Sequence, residues 1–240
     1  MRRGRKAPQW LRLMHKAWRS RNSADIASTS MDLCDAPNLN VLLGGQDLVF
    51  YSRLFRSDVK ALVGWGRKWS GQRAVVLSQS LNKRCLLLED GFLRSVGRND
   101  PALSVVFDDK GVYYDASQPS KLEDLINCNL SSDEAEAAQS IAQLWRQERV
   151  SKYNETSDFE GPLPTRYVLV IDQVAGDLSI NYGAAGPAQF AAMLDAALVE
   201  NPDTTIILKT HPDVAFDPTK GHFDLEKLKQ HPRIQNVSTA

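Results

Sequence analysis

The chain has 240 residues, of which 42% are apolar and 24% charged, with 14 glycines. That make-up belongs to ordinary folded proteins and excludes disordered and fibrous classes. Its formal net charge is zero, yet residues 1–24 hold eight Lys or Arg and no acid, leaving 21 basic against 29 acidic residues in the rest. Cys34, Cys85 and Cys128 show no metal-ligand spacing and read as reduced thiols of a cytoplasmic protein.

In the basic amino-terminal stretch, Trp10, Leu11, Met14, Ala17 and Trp18 fall at helical spacing among Arg12, Lys16, Arg19 and Arg21. The pattern suits a helix lying on an anionic membrane surface, or else a solvated basic tail. No apolar run approaches the roughly 18 residues that span a bilayer, and there is no apolar secretory core. The expected location is cytoplasmic, with peripheral membrane contact through residues 2–21. Residues 22–38, rich in Ser, Asn, Asp and Ala, read as a linker, so that 1–38 form tail and linker and order begins near Asn40.

From there the chain predicts an α/β fold. Ala61 to Val63 leads as a strand into Gly64-Trp65-Gly66, Ser70 is a candidate N-cap for a helix to about Leu81, and Asn82-Lys83-Arg84 turn into a strand from Cys85. This unit places Gly64-Trp65-Gly66 beside Glu89-Asp90-Gly91 at one edge of a parallel sheet. Residues 104–107 and 112–114 read as a hairpin turning at Gly111. Ser120 with Glu123, and Ser131 with Glu134, mark two helix starts. The second helix is expected to bury Ala138, Ile141, Ala142 and Trp145. Residues 155–165, with Gly161, Pro162 and Pro164, are the candidate domain linker.

A second unit follows, with a strand at Tyr167 to Ile171, a polar loop from Asp172, and a helix with Phe190, Met193, Leu194, Ala197 and Leu198 on one face. A strand from Thr205 to Leu208 then delivers Lys209, Thr210 and His211. The domains expected are 39–154, carrying Glu89-Asp90-Gly91, and 166–240, carrying His211-Pro212.

Carboxylates at a strand end of an open α/β sheet stand where ligands bind. Against this, neighbouring strand residues point to opposite faces, and a turn carboxylate often binds only nearby amides. A histidine and a lysine at a strand end, before a helix, make a phosphate receptor, and a carboxylate facing them is placed to act at a carbon bearing that phosphate. Gly64-Trp65-Gly66 matches neither a Walker loop nor Gly-x-Gly-x-x-Gly, which counts against ATP hydrolysis and dinucleotide chemistry.

Together, Gly64-Trp65-Gly66-Arg67-Lys68, Leu88-Glu89-Asp90-Gly91-Phe92-Leu93-Arg94-Ser95, Leu103-Ser104 with Val112 to Ala116, Val150-Ser151-Lys152-Tyr153-Asn154, Asp172-Gln173 with Gly176-Asp177, and Lys209 to Val214 resemble the capsule polysaccharide β-Kdo transferase family of the KpsC type. The resemblance implies two Rossmann-like domains of the GT-B glycosyltransferase type, the second incomplete. It also implies CMP-Kdo as donor and a phospholipid-linked Kdo acceptor at the cytoplasmic face of the inner membrane. By the same resemblance Asp90 is the catalytic carboxylate, Glu89 its helper, His211, Pro212, Lys209 and Gln173 bind CMP, and Gly64, Trp65, Gly66 and Arg94 bind substrate. No cofactor, metal or nucleic-acid partner is expected. Family members usually carry two such modules and this chain has one, so it is expected to be a truncated module with weak donor binding. The alternative is a non-catalytic fragment or a capsule export or assembly subunit.

Overall fold

The computed structural model describes residues 25–52, 59–97, 99–155 and 159–237. The amphipathic stretch of residues 2–21 lies outside them. The chain divides into two compact units, residues 1–113 with 118–155, and residues 156–240 with 114–117.

The first unit is a five-stranded sheet. Its strands are β1 (Ile26–Ser28), β2 (Leu48–Phe50), β3 (Ala61–Trp65), β4 (Arg84–Asp90) and β5 (Val105–Asp108), in the order β2-β1-β3-β4-β5. The first four are parallel and β5 runs antiparallel to β4. The order reverses beside β1, so the crevice outside the ends of β1 and β3 is a topological switch point, the usual place for a ligand in such sheets.

Two expectations are corrected at the start of this unit. Residues 22–38 are not simply a linker, because Ile26, Ala27 and Ser28 form the buried second strand and are followed by helices α1 (Met31–Cys34) and α2 (Leu39–Leu42). Leu33 and Leu39 close over Val63 and Leu88 in one core cluster. The expected hairpin is also replaced: β5 pairs with β4, and 112–114 form no strand. The cause is Asp108, whose buried carboxylate accepts the amides of Lys110, Gly111 and Lys121 at 2.8, 3.0 and 2.7 Å and turns the chain towards the next helix.

Helix α3 (Trp69–Leu81) covers the other sheet face, where Ala74 joins Ala27, Val49 and Leu62. Ser70 is not its cap. Its hydroxyl accepts the Trp65 amide at 3.1 Å, and Lys68 takes the N-cap position. A Cβ at Gly64 would lie 2.3 Å from the Ser70 carbonyl oxygen, so this glycine is needed for the close approach of α3 to β3.

Helices α4 (Lys121–Asn127) and α5 (Ser132–Gln147) both start on complete capping boxes. The inward face expected for α5 is not buried. No residue of α5 is buried and Ile141 is 62% exposed, since an amphipathic pattern needs a partner surface and none of the described residues supplies one.

The second unit holds β6 (Tyr167–Ile171), α6 (Leu178–Tyr182), α7 (Pro187–Glu200), β7 (Thr205–Lys209), α8 (Pro212–Phe216), α9 (Leu225–Leu228) and β8 (Ile234–Val237). Its three strands are parallel in the order β6-β7-β8, so β7 is followed by a third strand that the sequence did not announce. Val170, Leu194, Ile206 and Leu208 form its core with Phe223, Leu225, Leu228 and Ile234 packed against it. On the opposite face of β6, Tyr167, Leu169 and Ile171 stay exposed.

Candidate functional site

Parallel pairing of β3 with β4 sets Trp65 opposite Leu88, and the Gly66 amide donates to the Leu88 carbonyl at 2.8 Å. The glycine loop and the Glu89-Asp90-Gly91 loop therefore lie side by side at the carboxyl ends of their strands. Strand β4 runs through both acids, with Glu89 opposite Val106 and Asp90 opposite Val105. The two carboxylates consequently leave opposite faces of the sheet. Asp90 shares its face with Leu86 and Leu88, which pack towards α1 and α2.

Gly91 closes the strand under tight steric control. A Cβ there would lie 1.8 Å from Ser104 Oγ, and the Gly91 amide donates to the Ser104 carbonyl at 3.1 Å. Beyond it, Arg94 folds back on Asp90, its Nε donating to Asp90 Oδ1 at 3.1 Å while Nη1 donates to the Ser95 hydroxyl at 2.9 Å and the Asp100 carbonyl at 2.8 Å. Arg94 also lines a cavity of about 280 Å3 with Trp65, Leu39, Leu42 and Asp100, which brings the expected substrate residues Trp65 and Arg94 together at the switch point.

Lys152 is the participant to which the sequence assigned no role. Its Nζ stands 3.6 Å from Asp90 Oδ2, and both Lys152 Nζ and the Arg94 guanidinium lie 5.7 Å from the Tyr153 ring centre. Backbone bonds place it there: the Lys152 carbonyl accepts the amides of Arg94 and Ser95 at 3.0 and 3.3 Å, and the Asn154 amide donates to Val96 at 2.7 Å. Sequence spacing carries no signal for this contact, since it is made by main-chain pairing of two loops.

In the second unit, Lys209 ends β7, Thr210 is buried, and His211 and Pro212 open α8. His211 Nδ1 accepts the Asp213 amide at 3.1 Å, which puts the proton of the neutral ring on Nε2. Gln173 follows β6, but its side-chain Oε1 accepts the Val174 amide at 2.8 Å. The buried polar pair here is Asp172 with His222, a residue without an expected role. Asp172 Oδ1 accepts His222 Nδ1–H at 2.9 Å and the Gln173 amide at 2.8 Å, and the His222 ring stacks on Phe190 at 3.9 Å. These bonds pin the loop after β6 to the loop before α9. Asp90 belongs to the first unit and His211 to the second.

Among the described residues no group of three or more His, Cys, Asp or Glu is arranged to hold a metal ion. No helix among them is long and apolar enough to cross a membrane.

The chain is similar to the capsule polysaccharide modification protein LipA of Neisseria meningitidis serogroup B. The two are 37% identical over 188 residues, covering 74% of this chain and 26% of LipA. It is also 36% identical over 137 residues to the lipopolysaccharide-processing protein LpsZ of Rhizobium meliloti, covering 53% of this chain and 31% of that protein. The chain thus spans about a quarter to a third of the length of these curated relatives. Among solved structures, the KpsC beta Kdo 2,4 transferase of Thermosulfurimonas dismutans superposes with a TM-score of 0.78 at 34% identity, covering 89% of this chain and 68% of the transferase chain. The beta Kdo 2,7 transferase of the same organism's KpsC shares the fold, with a TM-score of 0.57 at 24% identity over 88% of this chain and 66% of its own. Residues 60–161 and 134–239 match the family described as capsule polysaccharide biosynthesis protein, and since these matches span well over half of the chain, the chain belongs to that family.

Proposed function

We propose that the chain is the catalytic part of a GT-B glycosyltransferase module that moves Kdo from CMP-Kdo onto a lipid-linked Kdo acceptor in capsular polysaccharide linker biosynthesis. The observation that carries this reading is Asp90, held at the carboxyl end of β4 between Arg94 and Lys152 in a chain 34% identical to a KpsC β-Kdo transferase. A carboxylate so held is placed to act at the anomeric carbon, as nucleophile if configuration is retained. Glu89, leaving the other face of β4, supports through its field rather than by touching the same atom. His211, with its ring proton on Nε2, donates to the CMP phosphate, assisted by Lys209. Pro212 shapes the loop and Gln173 borders the nucleotide. Trp65, Gly64, Gly66 and Arg94 form the substrate side. Residues 2–21 supply peripheral contact with an anionic membrane surface.

The test is a transfer assay with CMP-Kdo and a Kdo-lipid acceptor, performed on the module at the length of its transferase relatives. Asp90→Ala is expected to abolish transfer and leave the circular dichroism spectrum unchanged, whereas undiminished transfer removes Asp90 from the mechanism. A second reading, that these 240 residues alone are non-catalytic, is favoured by the uncovered face of β6, since parallel sheets are ordinarily covered on both faces. It predicts weak CMP binding by calorimetry, and tight binding rejects it.

A further inference from the structure

We propose that Lys152 is the residue that lets Asp90 approach an acidic sugar, its ammonium being shared between the Asp90 carboxylate and the carboxylate carried on the anomeric carbon of a 2-keto-acid sugar. The inference rests on the transferase reading above and names a substrate contact of the same site.

The need for such a residue comes from the chemistry of the sugar. In a 2-keto-acid sugar the carboxylate and the leaving group share one carbon. An aspartate that reaches this carbon therefore meets a second carboxylate a few ångströms away, and in a partly desolvated site the two repel strongly. A cation placed between them relieves the conflict. The described side chains around Asp90 have this balance. Arg94 and Lys152 both reach its carboxylate, at 3.1 and 3.6 Å, so Asp90 already stands beside two cations. The more loosely held of them is placed to meet a further carboxylate.

The two cations are not equivalent. Arg94 is the framework: its side chain is 21% exposed and is fixed by Asp90, the Ser95 hydroxyl and the Asp100 carbonyl. Lys152 is 47% exposed, and 3.6 Å is beyond hydrogen-bond length, so its contact with Asp90 is a loose ion pair. An ammonium has three donors on a flexible stem and can serve two carboxylates at once. Its Cα, by contrast, is not loose. The Lys152 carbonyl takes two amides from the loop after β4, a parallel bridge joins Ser95 to Tyr153, and Asn154 Nδ2 donates to the Ser95 carbonyl at 3.2 Å. The result is a mobile charge on a fixed base, at the rim of the pair it must balance.

The experiment uses the module at the length of its transferase relatives and compares wild type with Lys152→Ala and Lys152→Arg, measuring by ligand-observed NMR titration the affinities for free Kdo, Kdo methyl ester and CMP. The expected result is a loss of Kdo affinity of about tenfold or more in Lys152→Ala, the size of one charge-assisted bond, with methyl ester and CMP affinities unchanged. Lys152→Arg should stay within about threefold of wild type, because it keeps the charge. Equal Kdo affinity in wild type and Lys152→Ala overturns the proposal, as does an equal loss for the methyl ester. A loss confined to CMP assigns Lys152 to the phosphate and overturns it too. A wild-type protein that binds neither Kdo nor CMP overturns the transferase reading itself, and the role of Lys152 with it, and this outcome is distinct from the others.

Discussion

His222 gives two hydrogen bonds to one carboxylate, its ring Nδ1–H to Asp172 Oδ1 at 2.9 Å and its own amide to Asp172 Oδ2 at 3.2 Å, with the Asp172 side chain wholly buried. Asp172→Asn keeps the shape but turns an NH2 group towards one of these donors. The expected loss is about 3 kcal/mol from the second unit, the cost of leaving buried polar groups unmatched. The tryptophans are Trp10, Trp18, Trp65, Trp69 and Trp145, so tryptophan fluorescence does not report the second unit. Urea unfolding followed by amide exchange of β6 and β7 should show the loss, while the fluorescence midpoint stays in place.

Gly91→Ala tests the steric closure of β4. The added Cβ would lie 1.8 Å from Ser104 Oγ and 2.7 Å from Ser104 Cβ. A drop in melting temperature of several degrees is expected. Ser104→Gly in the same chain should recover only part of it, because the Ser104 carbonyl carbon, at 2.9 Å, remains.

Alkylation separates the thiols. Burial pushes the Cys85 thiol above its ordinary value, against smaller opposing effects of a bond to Ser78 and the charge of Arg67, whereas Cys128 is exposed. With iodoacetamide at pH 8, Cys128 should be modified well before Cys85 as read by peptide mass spectrometry. Equal rates would contradict the burial of Cys85.

Helix α5 supplies a pH test. The Ser131 amide and hydroxyl both donate to Glu134, which holds its carboxyl below the ordinary glutamate value. A depressed folded-state pKa stabilises above the unfolded value near 4.5 and is lost as pH falls through the lower folded value. Amide protection in the first turn of α5, corrected for intrinsic exchange, should therefore decline below about pH 4.5, and in Glu134→Gln this acid step should disappear.

What could be read from the sequence followed the strength of local signals. The unit β3, α3, β4 was legible because an apolar strand, a glycine loop and a helix of ordinary length stand in succession, and both capping boxes were legible because they are contained in four residues. Strand β1 was not, since Ile26-Ala27-Ser28 is too short for alternation and two of its buried residues are small. The hairpin reading failed because Asp108 redirects the chain through side-chain bonds that hydropathy does not encode. Asp90, Trp65 and Arg94 were expected at the site; Trp65 and Arg94 line one cavity, and Asp90 pairs with Arg94. Lys152 stood in a motif quoted for the resemblance, but its contact with Asp90, like that of His222 with Asp172, was beyond reach, because the partners are separated by long stretches of chain and meet only through tertiary pairing.

That distance has a consequence for how the site comes into being. Strand β4 and its aspartate are complete early in synthesis, but the cation at 3.6 Å and the loop pairing that holds it come only after two further helices. Closing so long a loop is slow compared with forming β3, α3 and β4 locally. A nascent chain released before residue 150 would possess the sheet and the aspartate but not their electrostatic setting. The cationic setting of Asp90 is therefore completed by chain synthesised well after the strand that carries it.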